Sequence, residues 1–444
     1  MAHNTQFKSH HQDILAIALP MIASALSVPL LGLVDTAILG HLESPVYLGA
    51  VTVGVSVFNL FLWGMGFLRM STTGLIAQAH GRNDITEVAR HLTQALSLAL
   101  GLAVLLMLLT VLGLDPLLDW FAPASERIQK LSALYLYWRL WSLPASLWLF
   151  VVSAYFLATQ RAGIVLRLML VSQVSNMLLD YVLVIHWHWK VTGVAIGSVV
   201  SEYLALALAL SYLRRDGILS ALPKKTWRQW SHHRRDFRRL FTLNRDIFIR
   251  TLCLMFVFAF FTRQSANQGE VILAANAVLL NFFYLASYGL DGFAHAVESL
   301  AGRYFGQGDR QSLRQVTREV FSVSWAVAGA LSLIYWLAGE WIIFMLTDLH
   351  AVRLASLEYL WWIVALPVVA VASFVYDGLC VAILQTRIMR DAMLVATLLC
   401  FLPLWMTLQS WGNTGLWLSF LAFFAIRGLA THVYFKRSGV LAPA

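Results

Sequence analysis

The chain has 444 residues, 59% of them apolar and only 12% charged, about half the charged share of an ordinary globular protein. That excludes a soluble protein and leaves apolar material for about a dozen bilayer-spanning helices of ~20 residues each. A net charge of +9 would suit a nucleic-acid partner only if the bases shared one face, so their positions decide its meaning.

Apolar runs broken by polar and turn-forming clusters predict twelve membrane spans. They lie near residues 14–40, 48–79, 88–114, 131–158, 162–186, 192–213, 246–266, 272–302, 321–347, 359–386, 391–409 and 413–435. The first follows a polar leader, MAHNTQFKSHHQD, and runs well past the ~7 to 15 apolar residues of a signal peptide. The leader is therefore expected to remain in the mature chain, although Ala23, Ser24 and Ala25 offer a small-residue cleavage site. Cys253, Cys380 and Cys400 all lie in apolar stretches and imply no disulfide framework.

With the N-terminus inside, 23 of the 32 Lys and Arg fall on the cytoplasmic side, ten of them between Arg214 and Arg245. Only Arg127, Lys130, Lys190, Arg263 and Arg353 fall outside, so both termini are expected in the cytoplasm. The bases orient the chain toward anionic lipid, and no nucleic-acid partner is expected. The stretch His186 to Trp189, HWHW, puts two histidines on a loop with no Cys or carboxylate beside them. It reads as interfacial aromatics, and no metal site is expected.

The chain also repeats itself. AQAHGRND, ending in Asp84, matches GRYFGQGD, ending in Asp309, at an offset of 225. Pro144 with ATQR matches Pro367 with LQTR at offsets of 223 and 226, and Thr192–Gly193 matches Thr414–Gly415 at 222. Three landmarks in one order at nearly one offset predict an all-α integral membrane protein of two pseudo-symmetric six-helix lobes. The expected boundaries are 1–213 for the first lobe, 214–245 for a basic cytoplasmic linker and 246–444 for the second lobe. Each half has an even number of spans, so the expected symmetry axis lies along the membrane normal, with a cleft between the lobes.

An ionisable group at mid-membrane costs about 2.5 to 3.5 kcal/mol on insertion scales, so each intramembrane acid needs a partner or a purpose. Six qualify: Asp35, Asp180, Glu202, Asp291, Glu298 and Asp377. Asp35 lies about 30 Å along the first span and Asp180 about 27 Å along the fifth, so both fall in the outer half of the first lobe. Asn176, one helical turn before Asp180, points the same way. Two carboxylates close together in a low-dielectric site do not both stay ionised, which favours a proton or a sodium ion there. The competing reading is a static ion pair of Arg139 with Asp35 or Asp180. Pro20 and Pro29 weaken the helix that carries Asp35, which would let protonation bias its shape. In the second lobe, Asp291, Glu298 and Asp377 would line a cation path or satisfy neighbours such as Asn281 and Tyr376. Glu298, near the cytoplasmic end, is expected to snorkel to water, which leaves Asp377 as the stronger functional candidate.

The stretches VDTAILGHL, NMLLDYVLV, GLDGFAHAVESLAGRYFGQGD and FVYDGLCVAILQTRIMRDA, with the long linker, resemble the multidrug and toxic compound extrusion family in its DNA-damage-inducible protein F branch. The resemblance covers essentially the whole chain. It implies alternating access and export of amphipathic, often cationic small molecules, driven by protons or sodium, with no cofactor and no enzyme activity. It also implies that Asp35 governs coupling, that Pro20 is the kink proline, and that Asn176, Asp180 and Ser198 belong to the cation site. Another branch carries an acid within span seven; here span seven has none, and Glu270 lies beyond it. Proton coupling through Asp35 and Asp180 is therefore expected, with sodium as the alternative. Glu202, Asp291, Asp377 and Arg139 are secondary candidates. The expected setting is a monomer among the lipids of a bacterial inner membrane.

Three rivals compete with this reading. A lipid-linked precursor flippase of the same superfamily would line its cleft with bases, whereas six intramembrane acids here outnumber four bases. A major-facilitator transporter would carry a basic, Asp-containing loop that HGRNDITEVAR does not match. A membrane-embedded enzyme would need a nucleophile and base or a Cys/His cluster near an interface, and the sequence offers neither.

Overall fold

A computed structural model of the chain describes residues 10–40, 42–121, 125–221 and 234–438. Lys8, the linker bases between residues 222 and 233, and the two chain ends expected in the cytoplasm lie outside the described residues. No strand occurs among the described residues. The first half comprises α1 (His11–Gly40), α2 (Pro45–Gly64), α3 (Phe67–Gly81), α4 (Ile85–Phe121), α5 (Glu126–Arg139), α6 (Leu143–Ala158), α7 (Ala162–Asp180) and α8 (Lys190–Arg215), followed by the single turn α9 (Ile218–Ala221). The second half comprises α10 (Arg234–Asn267), α11 (Glu270–Gln307), α12 (Arg310–Leu346), α13 (His350–Ala382), α14 (Thr386–Leu394), α15 (Leu402–Leu408) and α16 (Asn413–Ser438). Eleven helical segments among the described residues are long and apolar enough to cross a membrane, and α10 contains the stretch expected as the seventh span.

Three helices begin well before their expected spans: α10 starts at Arg234 rather than 246, α12 at Arg310 rather than 321, and α13 at His350 rather than 359. Hydropathy drops where a helix enters polar sequence, but its backbone hydrogen bonds continue, so the apolar run marks the span and not the helix.

Each repeated landmark is a repeated piece of backbone. Asn83 and Gly308 both take left-handed conformations, at φ 57° and 75°. Each is followed by an aspartate that closes the next helix: Asp84 Oδ1 accepts from the Glu87 N–H at 2.9 Å, and Asp309 Oδ1 from the Ser312 N–H at 3.0 Å. Gln160 in ATQR and Leu384 in LQTR are again left-handed, at φ 62° and 58°. Both Gly193 and Gly415 sit where a Cβ would crowd the end of the preceding span, against the Leu183 carbonyl carbon at 3.2 Å and against the Leu408 carbonyl oxygen. The spans they touch each contain a π-helical turn, Tyr181–His186 and Val395–Phe401.

Replacing either capping aspartate by alanine should cost about 1 kcal/mol, read as a lowered unfolding midpoint of the purified protein. The Ser312 side-chain and backbone contacts hold the Asp309 carboxyl below the ordinary carboxylate range. Its cap is thus fully present above that range and is lost as pH falls through the lower folded value. Asp309→Ala should therefore cost the same at neutral and mildly acidic pH, and less only below about pH 4.

The chain forms two compact units, residues 23–244 and residues 1–22 together with 245–444. The described residues 214–221 and 234–244 fall with the first unit, and the division also passes through α1, between Pro20 and Pro29, while the helix continues from His11 to Gly40. Each proline withholds the N–H that would bond the carbonyl four residues earlier, at Ala16 and Ala25. The first part of α1 packs closely on α11, where a Cβ at Gly292 would meet the Ala18 carbonyl oxygen at 2.8 Å. The His10 N–H donates to Glu319 Oε2 at 2.8 Å, which fixes the start of α1 to α12. Within the units, α6 and α13 are deeply buried; Leu147, Val151 and Val152 of α6 and Leu379, Cys380 and Val381 of α13 are fully enclosed.

Candidate functional site

The first unit assembles the four residues expected of an ion site. Asp180 is the last residue of α7 and is fully buried. Asn176, one turn earlier, donates its Nδ2 to Asp180 Oδ1 at 3.4 Å and to Ser198 Oγ of α8 at 3.2 Å. Asp35 of α1 lies next to Asp180, close enough for the two carboxyls to interact. Two carboxyls this close can bond each other only when one of them carries a proton. One oxygen of each, Asp35 Oδ1 and Asp180 Oδ2, is buried with no hydrogen-bond partner. A buried carboxylate oxygen without a donor is costly, and a proton or a small cation is what removes that cost.

Two further residues that sequence reasoning passed over contribute to the site. A Cβ at Gly197 would overlap Asp180 Oδ1, so the absence of a side chain there is what lets the carboxyl lie against α8. Tyr135, 2% exposed and one turn before Arg139 on α5, bonds Arg139 and lies close enough to sense the charges of Asp35 and Asp180. Gly197 was detectable as the neighbour of Ser198 and Tyr135 as the i−4 neighbour of Arg139, but neither carries a charge that would draw attention inside a membrane.

Arg139 does not form the static ion pair with Asp35 or Asp180 that the competing reading expects. Its guanidinium donates to Glu202 Oε1 of α8 at 2.5 Å and to Ser142 Oγ, and it lies 4.0 Å from the Phe58 ring centroid. Ser146 Oγ holds the other Glu202 oxygen. The reason is spatial: Arg139 ends α5 at the 3₁₀ turn Leu140–Ser142, beside the α8 face that carries Glu202. Its charge still reaches both aspartates.

The acids of the second unit are arranged differently. Asp377 Oδ2 accepts from Arg250 of α10 at 2.5 Å and from Arg427 of α16, so it sits between two guanidiniums. Asp291 lies near enough to add to the field at Arg427. Glu298 does not snorkel; it is 2% exposed and lies 3.2 Å from His295 Nδ1, one turn away. The neighbours expected for these acids are engaged elsewhere: Asn281 bonds the Ala277 carbonyl of its own helix, and the Tyr376 hydroxyl lies 2.5 Å from His432 Nδ1.

A membrane-spanning helical bundle built from a repeat, with a buried acid pair in one unit, is the architecture of a transporter. The chain belongs to the MatE family of multidrug and toxin extrusion transporters, whose family model matches residues 20–182 and 247–406, one stretch in each half. It is 40% identical over 425 residues to DNA damage-inducible protein F of Escherichia coli (strain K12), covering 95% of this chain and 91% of that protein. It is 26% identical to Protein DETOXIFICATION 44, chloroplastic, of Arabidopsis thaliana, over 94% of this chain and 81% of that one. Among solved structures, the fold is similar to MATE in the straight conformation, with a TM-score of 0.86 at 16% identity over 96% of this chain and 95% of that one. It is likewise similar to a mutant of the Vibrio cholerae MATE transporter VcmN, with a TM-score of 0.85 at 18% identity over 96% of each chain. The protein is thus a multi-pass membrane transporter for small molecules and not an enzyme.

Proposed function

We propose that the chain is a proton-coupled antiporter that exports amphipathic, often cationic compounds by alternating access across a bacterial inner membrane. The observation that carries this reading is the contact of Asp35 with Asp180, each with a buried oxygen that lacks a donor. A proton taken up from outside satisfies those oxygens; its release leaves a negative charge in a low-dielectric site, which favours entry of a cation. Asp35 sits on the helix weakened by Pro20 and Pro29, so gain or loss of the proton biases the shape of α1. Sodium coupling through the second unit is disfavoured because Asp377 already lies between two guanidiniums. The chain is read as a monomer with both ends in the cytoplasm.

Inverted membrane vesicles with an acidified lumen supply the test. Addition of a cationic dye substrate should dissipate the proton gradient, and replacing all sodium in the medium by choline should leave the rate unchanged. A sodium-driven transporter would stall in choline.

A further inference from the structure

The acid pair is not the only buried charge in its unit. Arg139 and Glu202 sit in the same interior, and together they carry no net charge. Two contacts hold Glu202 in place, the Arg139 guanidinium and the Ser146 hydroxyl, and Ser198 lies one turn earlier on the same helix. Arg139 is held by Glu202, by Ser142, by Tyr135 and by the Phe58 ring. The other titratable groups around it are Asp35 on α1, Asp180 on α7 and Tyr203 on α8, which senses Glu202. Tyr47 of α2 is engaged with Lys190, and Tyr155 of α6 with Asp216.

We propose that Glu202 is a positioning residue for coupling: it holds the Arg139 guanidinium away from the Asp35–Asp180 pair, so that a proton and not an internal arginine neutralises that pair. The argument rests on the proton-coupled reading above. An arginine already inside the unit is the obvious competitor for a buried carboxylate, because it is always charged and needs no uptake from water. Tyr135, one turn before Arg139 on α5, is buried beside it, and both aspartates act on Tyr135 as well. With Glu202 in place the guanidinium already has a carboxylate partner. Without Glu202, nothing of opposite charge opposes its attraction to Asp35 and Asp180, and the pair would be held ionised by a partner that cannot leave.

The signs follow. Glu202→Gln frees Arg139 toward the pair, so exchange should need more acid: its half-maximal pH should fall by about one unit or more, and exchange at neutral pH should drop at least about tenfold. Arg139→Gln removes the cation, so the pair should hold its proton to higher pH and the profile should move the opposite way. Glu202→Gln with Arg139→Gln restores the zero balance and should return the profile most of the way to native. A merely structural pair would lower activity in both single variants without opposite shifts.

The experiment is the pH dependence of dye-evoked proton movement in inverted vesicles for the native chain, both single variants, the double variant and Asp35→Asn, each normalised to protein in the membrane. Opposite shifts that cancel in the double variant are the expected result. A native profile in Glu202→Gln, shifts of the same sign, or a double variant no nearer native than Glu202→Gln would overturn the proposal. If one single variant fails to reach the membrane, the direction of shift in the other decides. Native exchange in Asp35→Asn would instead overturn the underlying coupling reading, whatever Glu202 does.

Discussion

Asp35→Asn is expected to reduce dye-evoked proton exchange by at least about tenfold, toward the level of vesicles without the protein, with the amount of folded protein unchanged. Asparagine fills the same volume and can still bond Asp180, so the loss would not come from packing. What disappears is the titratable group: an amide neither takes a proton at physiological pH nor gives one up. Asp180→Asn should give a similar loss, because Asn176 and Gly197 leave room for an amide where the carboxyl lies. Neither variant leaves a buried cation unpaired, since Arg139 keeps Glu202. Both should therefore unfold near the native temperature, and the measurement that checks this is thermal unfolding of each purified variant beside its exchange rate.

Asp377→Asn should do the reverse. Replacing this carboxylate by an amide leaves the half-buried Arg250 and the buried Arg427 without the negative charge that both of them bond. Breaking a buried pair by deleting one partner costs about 3 to 5 kcal/mol, because the remaining charge keeps its desolvation penalty. The Nε atoms of both arginines are already buried without partners, so little else nearby can absorb the loss. Asp291 supplies field at Arg427 but stands on a different helix. The variant should show a clearly lowered unfolding midpoint and lower abundance, while the exchange rate per folded molecule stays within a fewfold of native. Replacing Asp377 and Arg427 together with apolar residues of similar volume should recover part of the stability, since a matched apolar pair leaves one fewer buried charge unpaired. Loss of exchange in Asp377→Asn at full stability would move the second unit into the coupling machinery.

The contrast between these acids explains what the sequence could and could not reveal. Spans and repeats were legible because hydropathy and turn residues are local: GRND and GQGD specify the same left-handed residue and the same aspartate cap wherever they occur. Asp35, Asp180, Asn176 and Ser198 were legible because a carboxylate deep in an apolar run is improbable without a reason, and three of the four share two adjacent helices. Partners were not legible. Arg139 chooses Glu202, 63 residues away, over acids that seemed equally available, and that choice depends on where a 3₁₀ turn aims one guanidinium. Glu298 looked able to reach water by its distance along the helix, yet its neighbours bury it beside His295. The passage of α1 from one unit to the other leaves no mark in the hydropathy of a continuous apolar helix.

The most direct test of proton coupling uses the purified chain in liposomes that contain no sodium on either side, with a pH gradient imposed and a cationic dye as substrate. Dye should accumulate against its gradient while the pH gradient decays, and both should stop in Asp35→Asn. Dye accumulation that ignores the pH gradient and appears only when a sodium gradient is supplied would contradict the assignment of Asp35 and Asp180 as the proton site.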